Sequence, residues 1–416
     1  MQKKLEFDFD VIVVGGGASG MIASGRCAEL NKKVLLLEKN NELGEKLKIT
    51  GGGRCNILNM ELNPRVLLKS YGKAEPFLYS PFSQFGVKET CEFFEKNGLP
   101  LIVEPGKRAF PKSEKALDVL KVLEKYMKDN GVVVKTNSPV SEILMSNDKI
   151  TGIKVGKKIY TANSYVLATG GNSHPETGST GDGFLWLSLL GHNVKSPTPT
   201  IVPLRVRESW VKSLSGITIE NIKITFYLDG KKKFGKNGKL LFTHFGISGP
   251  MILNSAGKVK DLLLSGIVTV KIDLFPSLNE RELEEKIVKY FDENKNKILK
   301  NALNGFIPNG MSDAILSLLK NTDENTKVHS VTKEVRKDLV LLLKALPLTI
   351  TALMGFDKAV VADGGVDLTE IDMKTMRSKI IENLYITGDL LHINRPSGGF
   401  SLQICWTSGY VAGSNA

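Results

Sequence analysis

The sequence is poor in the features that mark several large protein classes. It has only four cysteines in 416 residues, Cys27, Cys55, Cys91 and Cys405, widely spaced and without a C-x-x-C pair. That argues against a disulfide framework, a cysteine-based zinc site and a dithiol redox centre, and suits reduced thiols that mostly pack. No run reaches the roughly 18 to 20 apolar residues needed to cross a bilayer, and the chain passes directly into a strand-like run instead of an apolar leader. A cytoplasmic protein with no membrane partner is expected. Acids are in deficit: 44 Asp and Glu against 56 Lys and Arg leave a formal charge of +12. Internal repeats, a low-complexity tail, a metal-ligand spacing and a Ser-His-Asp or paired-carboxylate arrangement are all missing.

What is present is informative from the start. The run Asp10-Val-Ile-Val-Val-Gly15-Gly-Gly17-Ala-Ser-Gly20 is followed by Val34-Leu-Leu-Leu-Glu38. A β-branched run, glycines spaced G-x-G-x-x-G, a helix-compatible stretch and a second apolar run closed by a carboxylate describe a βαβ dinucleotide site. Gly15 permits the tight turn out of the strand, Gly17 leaves room for a diphosphate, and Gly20 lets the helix lie close on the sheet. The helix N-terminus offers amide donors and the positive end of its dipole to phosphates. Glu38 suits ribose hydroxyls and repels a 2′-phosphate, which points to an adenosine diphosphate moiety without one.

The length suits two or three domains, and 42% hydrophobic with 24% charged residues is ordinary for a globular chain. Residues 1–195 alternate strand and helix patterns: a Glu- and Lys-rich helix near 114–129, strands near 132–135 and 150–160, and the buried strand Ser164-Tyr-Val-Leu-Ala-Thr-Gly170. The prolines of Ser196-Pro-Thr-Pro199-Thr discourage regular structure and read as a crossing point between domains. From 200 to 275 the runs are short and β-rich, with a turn at Asp229-Gly230, and predict a small β-barrel or sandwich. From 278 to 344 the pattern is helical, with Ser277 or Asn279 as the cap. Residues 345–416 return to strand, turn and helix signals. The middle block, 196–344, holds 24 Lys and Arg against 16 Asp and Glu. Two readings stay open for this excess: a solvated lysine face, and an electrostatic footprint for a polyanion such as RNA.

The C-terminal block contains Asn383-Leu-Tyr-Ile-Thr-Gly388-Asp389, then Pro396-Ser-Gly398-Gly399-Phe400 opening a last helix through Ala412. A strand ending in Gly-Asp suits a carboxylate that binds polyol hydroxyls. A Gly-Gly pair at a helix start presents amides to a developing negative charge. A flavin needs both, for its ribityl chain and the N1/C2=O edge of its reduced ring, and NAD needs neither. The pair points to FAD.

Seven strings carry a resemblance: LGEKLKITGGGRCNILN (43–59), FPKS (110–113), YVLATGG (165–171), TGSTGDG (177–183), LLFTHFGISGP (240–250), GGVDLTEIDMKTMRSK (364–379) and GGFSLQ (398–403). Together they resemble the BaiN/RdsA-like, or aminoacetone oxidase-like, family of NAD(P)/FAD-dependent oxidoreductases, over residues 8 to 416. The resemblance implies an α/β fold: a Rossmann-like, glutathione-reductase-like FAD-binding domain made of 1–195 and 345–416, with an inserted domain at 196–344 that lies over the flavin. The insert divides into a β-barrel (200–275) and a helical part (278–344).

Carried over by motif, Gly15, Gly17, Ala18, Ser19 and Gly20 hold the diphosphate, and Glu38 with Lys39 the adenosine ribose. Thr50, Gly51, Gly52, Gly53, Arg54, Cys55 and Asn56 wrap the phosphates and ribityl chain, with Arg54 neutralising phosphate charge. Val140 contacts adenine through its backbone, and Ala168, Thr169 and Gly170 close over the nucleotide. Gly388, Asp389, Gly398, Gly399 and Phe400 complete the flavin side. One departure stands out: the family pattern GE-x-L-D-x-x-G is replaced here by Gly388-Asp389-Leu-Leu-His392-Ile-Asn394-Arg395. His392 stands for an acid and Arg395 adds a charge beside the flavin, which puts substrate preference in doubt and not cofactor binding.

The chemistry expected is hydride transfer at flavin N5. No second complete βαβ fingerprint is present, so a nicotinamide donor, if one is used, must visit the flavin transiently. Of five histidines, His174, His244 and His392 are the candidate proton donors or substrate ligands. A packed, structural role is the alternative for His244. His192 after Gly191 reads as a helix cap and His329 as part of a polar connection. Three functions remain open: a NAD(P)H-fed reductase of an unsaturated C=C, with uridine in ribosomal RNA as one substrate class; an oxidase of small amines that makes hydrogen peroxide; and a flavin-containing binding protein without turnover.

Overall fold

The computed structural model describes residues 7–416 apart from 321 and 324. Two compact units emerge: the residues up to Pro199 together with Ala359–Ala416, and Thr200–Lys358.

The first unit is built on five parallel strands. Their order is Leu384–Ile386, Ala162–Leu167, Phe9–Val14, Val34–Leu37 and Val133–Lys135. Numbered along the chain this is 3-2-1-4-5 read from the other edge, the doubly wound order, with its switch point between Phe9–Val14 and Ala162–Leu167. The central strands read as unbroken apolar runs because helices cover both faces: Val11–Val14, Val34–Leu37 and Tyr165–Leu167 are all buried. Helix Ala18–Glu29 packs on Ala116–Asp129 and on the last helix, Phe400–Asn415. The approach to the last helix is very close. A Cβ at Gly409 would lie 2.4 Å from the Ser19 carbonyl oxygen, and one at Gly413 2.5 Å from that of Ala23.

The proline stretch is not irregular. Val194–Pro199 pairs antiparallel with Ala362–Val366, and the register shifts between Lys195 and Thr198. A two-stranded ribbon has only edge strands, where proline is tolerated, and the shift absorbs Pro197.

The second unit holds a closed antiparallel barrel. Around it run Leu204–Val206, Gly246–Ser248, Lys231–Thr243, Thr218–Leu228, Val268–Asp273 and Leu346–Leu353. Alternate residues point inward and are buried, as in Ile222, Ile224 and Phe226, or Val268, Val270 and Ile272. Asp229 and Gly230 both have positive φ, 48° and 78°, the twist a two-residue hairpin needs. Helix Glu280–Glu293 is capped by Asn279, whose Oδ1 accepts from Glu282 N–H at 2.9 Å while the Glu282 carboxylate accepts from Asn279 N–H at 2.8 Å. The boundary expected at 345 has to move. Leu346–Leu353 pairs with Val268–Asp273 and Leu204–Val206 and closes the barrel, so it belongs with the second unit. Among the described residues no helix is long and apolar enough to cross a membrane.

Candidate cofactor site

The glycine loop leaves the first strand at the switch point. Gly15 has φ +106°, and a Cβ there would lie 2.5 Å from the Ala168 carbonyl oxygen; one on Gly20 would come within 1.9 Å of the Gly15 oxygen. Both glycines are required by the protein itself. Gly17 is not: its φ of −83° suits any residue, and a Cβ there meets nothing within 4 Å. Its missing side chain leaves open space directly before helix Ala18–Glu29, whose first-turn amides have no partner within the helix. Glu38 ends the second strand, buried, with Oε2 accepting from Gly16 N–H at 2.7 Å and Oε1 from Asn40 N–H at 2.8 Å. Two amides fix its direction while leaving lone pairs for hydroxyl donors. Lys39 points elsewhere, with Nζ 2.8 Å from the Asp182 carboxylate. Val140 lies in a three-stranded ribbon, paired with Val155, and just before it Ser138 N–H donates to the Glu38 carbonyl oxygen.

The two ends of the chain meet here. A Cβ on Gly388 would lie 2.8 Å from Ser19 Oγ, and Gly388 N–H donates to Ser408 Oγ at 2.9 Å. Asp389, half-buried, lies between two cations. Arg395 bonds one carboxylate oxygen and Lys46 Nζ lies 3.1 Å from the other. Burial works against the charge on Asp389, but Arg395 and Lys46 outweigh it and hold the carboxyl at about 2. Lys46 Nζ also reaches Ser173 Oγ at 3.3 Å. Close by in sequence, Thr169 Oγ1 and Asn172 Oδ1 are buried without a partner.

The Thr50–Asn56 loop has three successive left-handed glycines, Gly51, Gly52 and Gly53, and closes by Cys55 N–H donating to the Thr50 carbonyl at 2.9 Å. Cys55 is buried and burial pushes its thiol up, so it carries no thiolate. Arg54 does not face the cradle freely. It pairs with Glu104 and Glu114 and lies 4.3 Å from the centre of the Phe110 ring, its Nε buried and unbonded. With its amide assigned from the bonding pattern, Asn56 accepts from Gly399 N–H at 3.1 Å. The donors left at this helix start are therefore the first-turn amides of Phe400–Asn415 beyond Gly399. The Gly398 carbonyl accepts from Asn59 Nδ2 at 3.1 Å, and Tyr71 stands edge-on to Phe400, ring centres 5.7 Å apart.

The histidines have separate surroundings. His174, in a left-handed conformation, has Nδ1 2.8 Å from Glu176. His392 Nε2 lies 3.3 Å from both Lys195 Nζ and Asp363 Oδ1. His244 belongs to the second unit, exposed at the turn between Lys231–Thr243 and Gly246–Ser248, edge-on to Phe245. His192 caps its helix through the backbone, as its place after Gly191 suggests: Gly191 N–H donates to the Ser188 carbonyl at 3.1 Å and His192 N–H to the Leu187 carbonyl at 2.9 Å. Its ring is buried, with Nδ1 3.0 Å from Glu370 and Nε2 3.0 Å from Ser378 Oγ. This Ser-His-Glu chain escaped the sequence reading because its members are 178 and 186 residues apart. Ser378 Oγ already accepts from the amides of Ile380 and Ile381, so the chain fastens a turn. Lys46 and Arg395 were missed as partners of Asp389; their position in LGEKLKIT and in the departing loop was the available signal.

Open space before a helix N-terminus, an oriented buried carboxylate at the second strand and an ionised carboxylate just beyond the strand Leu384–Ile386 fit the diphosphate, ribose and polyol of FAD. Comparison with known proteins agrees. The model of the HI0933-like protein Rossmann domain matches residues 9–415. The chain is 28% identical to a 3-dehydro-bile acid delta(4,6)-reductase of Clostridium scindens, over 97% of this chain and 98% of that protein. It is 28% identical to a ribosomal RNA dihydrouridine synthase of Haemophilus influenzae, over 96% of each. In fold it is similar to a 3-ketosteroid delta1-dehydrogenase from Sterolibacterium denitrificans, with a TM-score of 0.53, 14% identity and coverage of 97% and 98% of the two chains. The chain belongs to the HI0933-like Rossmann family of FAD-dependent oxidoreductases.

Proposed function

We propose that the protein is a reductase, fed by NADH or NADPH, that delivers hydride to a carbon–carbon double bond conjugated to a carbonyl, with uridine in ribosomal RNA as the favoured substrate class. The carrying observation is the cradle at the switch point. The sequence has one dinucleotide fingerprint, so the nicotinamide is a visiting donor and not a second resident. Bound FAD supplies the hydride acceptor and donor at N5. The chain's residues do the rest. First-turn amides of Ala18–Glu29 take the diphosphate, and Glu38 the adenosine ribose. Asp389, kept ionised by its two cations, accepts from ribityl hydroxyls, while the first-turn amides of Phe400–Asn415 face the pyrimidine edge. One proton must also reach the substrate. His392, three residues beyond Asp389 and flanked by Lys195 and Asp363, is the favoured donor; His174 and His244 are the alternatives.

Two observations support the substrate class. The two relatives described above are named for activities that saturate a double bond of this kind. On the barrel, Lys231, Lys232, Lys233 and Lys236 are exposed along one strand, and exposed Lys223 and Lys271 lie on the strands beyond. Such a ribbon suits a phosphate backbone better than a neutral steroid.

The test is anaerobic bleaching of the bound flavin by NADH, NADPH and a panel of amines, followed by reoxidation with a uridine-containing ribosomal RNA fragment or a 3-oxo-4-ene steroid. Bleaching by a nicotinamide and reoxidation by the RNA support the proposal. Peroxide formation from an amine and oxygen, or a flavin that no donor bleaches, contradicts it.

A further inference from the structure

We propose that Arg395 tunes the cofactor, by setting a surplus positive charge against the helix start that serves the flavin's pyrimidine edge and so raising the reduction potential. This rests on the reading that FAD occupies the cradle. The Arg395 side chain is 1% exposed. Its Nη1 donates to the Ile393 carbonyl at 2.6 Å, its Nε to Ser401 Oγ at 3.1 Å, and its Nη2 to Asp389. Ser401 is the second residue of helix Phe400–Asn415, so the guanidinium lies against the first turn of that helix.

The charges do not balance. Arg395 and Lys46 share the carboxylate of Asp389. The Cys405 thiol, near all three, is pushed up to about 12 by burial and stays neutral; the buried Tyr71 phenol beside Arg395 is raised in the same way. One positive charge is left over, and of the two cations it is Arg395 that is shielded from water, 1% exposed against 28% for Lys46; a buried charge of that kind favours an anion brought by a ligand. Hydride addition at N5 creates one. The oxidised ring takes the hydride with its electron pair from a nicotinamide donor, which leaves oxidised. The reduced ring then carries one negative charge at its N1/C2=O edge. Charge and helix amides favour that state over the neutral oxidised ring.

The experiment uses the full-length protein loaded with FAD. Bound FAD is counted first, and the midpoint potential is then measured by slow enzymatic reduction against a reference dye. Arg395→Gln is expected to keep its FAD while the equilibrium constant for two-electron reduction falls by about tenfold or more, equivalent to about 30 mV. Arg395→Lys, which keeps the charge, is expected to stay close to the parent. An Arg395→Gln protein that holds FAD at the parent's potential overturns the proposal. Should that variant fail to fold, Lys46→Gln removes the other cation and is expected to lower the potential likewise; an unchanged value there overturns the proposal equally. A parent protein that takes up no FAD overturns the cofactor reading itself, and the initial count separates that result from a failure of tuning.

Discussion

Replacing Gly17 by alanine separates a glycine kept for the fold from one kept for a ligand. The backbone at Gly17 is already compatible with alanine and the new Cβ meets no protein atom within 4 Å. The apo protein should therefore change in stability by about 1 kcal/mol at most, the scale of exchanging glycine for alanine at a helix N-cap. The methyl group instead enters the space before the first-turn amides. Pushing a diphosphate off one charge-assisted bond costs about 1.5 to 3 kcal/mol, so FAD affinity should fall by about ten- to a hundred-fold, and by more if a second bond is lost. Gly20→Ala is the control of opposite character. Its Cβ would sit 1.9 Å from the Gly15 carbonyl oxygen, and overpacking of that kind costs about 1 to 3 kcal/mol or more before any ligand is added. Thermal melts of the apo proteins and fluorescence titration with FAD measure both effects. A Gly17→Ala protein that binds FAD like the parent, or melts as early as Gly20→Ala, refutes the reasoning.

Other predictions follow from single groups. Burial disfavours the His192 imidazolium more than Glu370 favours it, so the folded chain takes up that proton at lower pH than the unfolded chain, whose value is near 6.5. Stability should be full above about pH 6.5 and decline below it, a slope in denaturant unfolding that His192→Gln should flatten. The Asp389 carboxyl, at about 2 against an ordinary 3.8, contributes about 2 kcal/mol that is present above about pH 4 and lost as the pH falls toward 2. Asp389→Asn should cost about 3 to 5 kcal/mol at neutral pH, because it strands the Arg395 guanidinium; a melt near that of the parent would contradict this. Trp406 is fully buried, donates from Nε1 to the Ile57 carbonyl at 3.0 Å and meets Phe94 edge-on. Trp406→Ala should cost about 3 to 5 kcal/mol. Neutralising Lys231, Lys232 and Lys233 together should weaken RNA binding and shrink its log–log salt slope by about 2 to 3, as measured by filter binding; an unchanged slope argues against a phosphate contact there.

How much of this was legible depended on whether a signal was local. The glycine fingerprint, the carboxylate closing the second strand, the Asp229-Gly230 hairpin and the Asn279 cap are each set by a few adjacent residues, and the structure has them at those positions. Leu346–Leu353 was misplaced because its run resembles any buried strand. Its membership of the barrel depends on pairing with Val268–Asp273 and Leu204–Val206, which composition cannot encode. The same holds for side chains. Arg54 was readable as a cation beside a glycine loop, but not as the partner of Glu104 and Glu114. Ser378, His192 and Glu370, like Lys46, Asp389 and Arg395, become neighbours only when the two ends of the chain share one sheet.

The most direct test of the account is the flavin content of the purified full-length protein after incubation with FAD and removal of excess. With FAD in the cradle at the switch point, the protein shows the visible absorbance of a bound flavin, with one FAD per chain released on denaturation and no tightly held NAD. A protein that stays colourless after reconstitution, with the fold intact by circular dichroism, would contradict it.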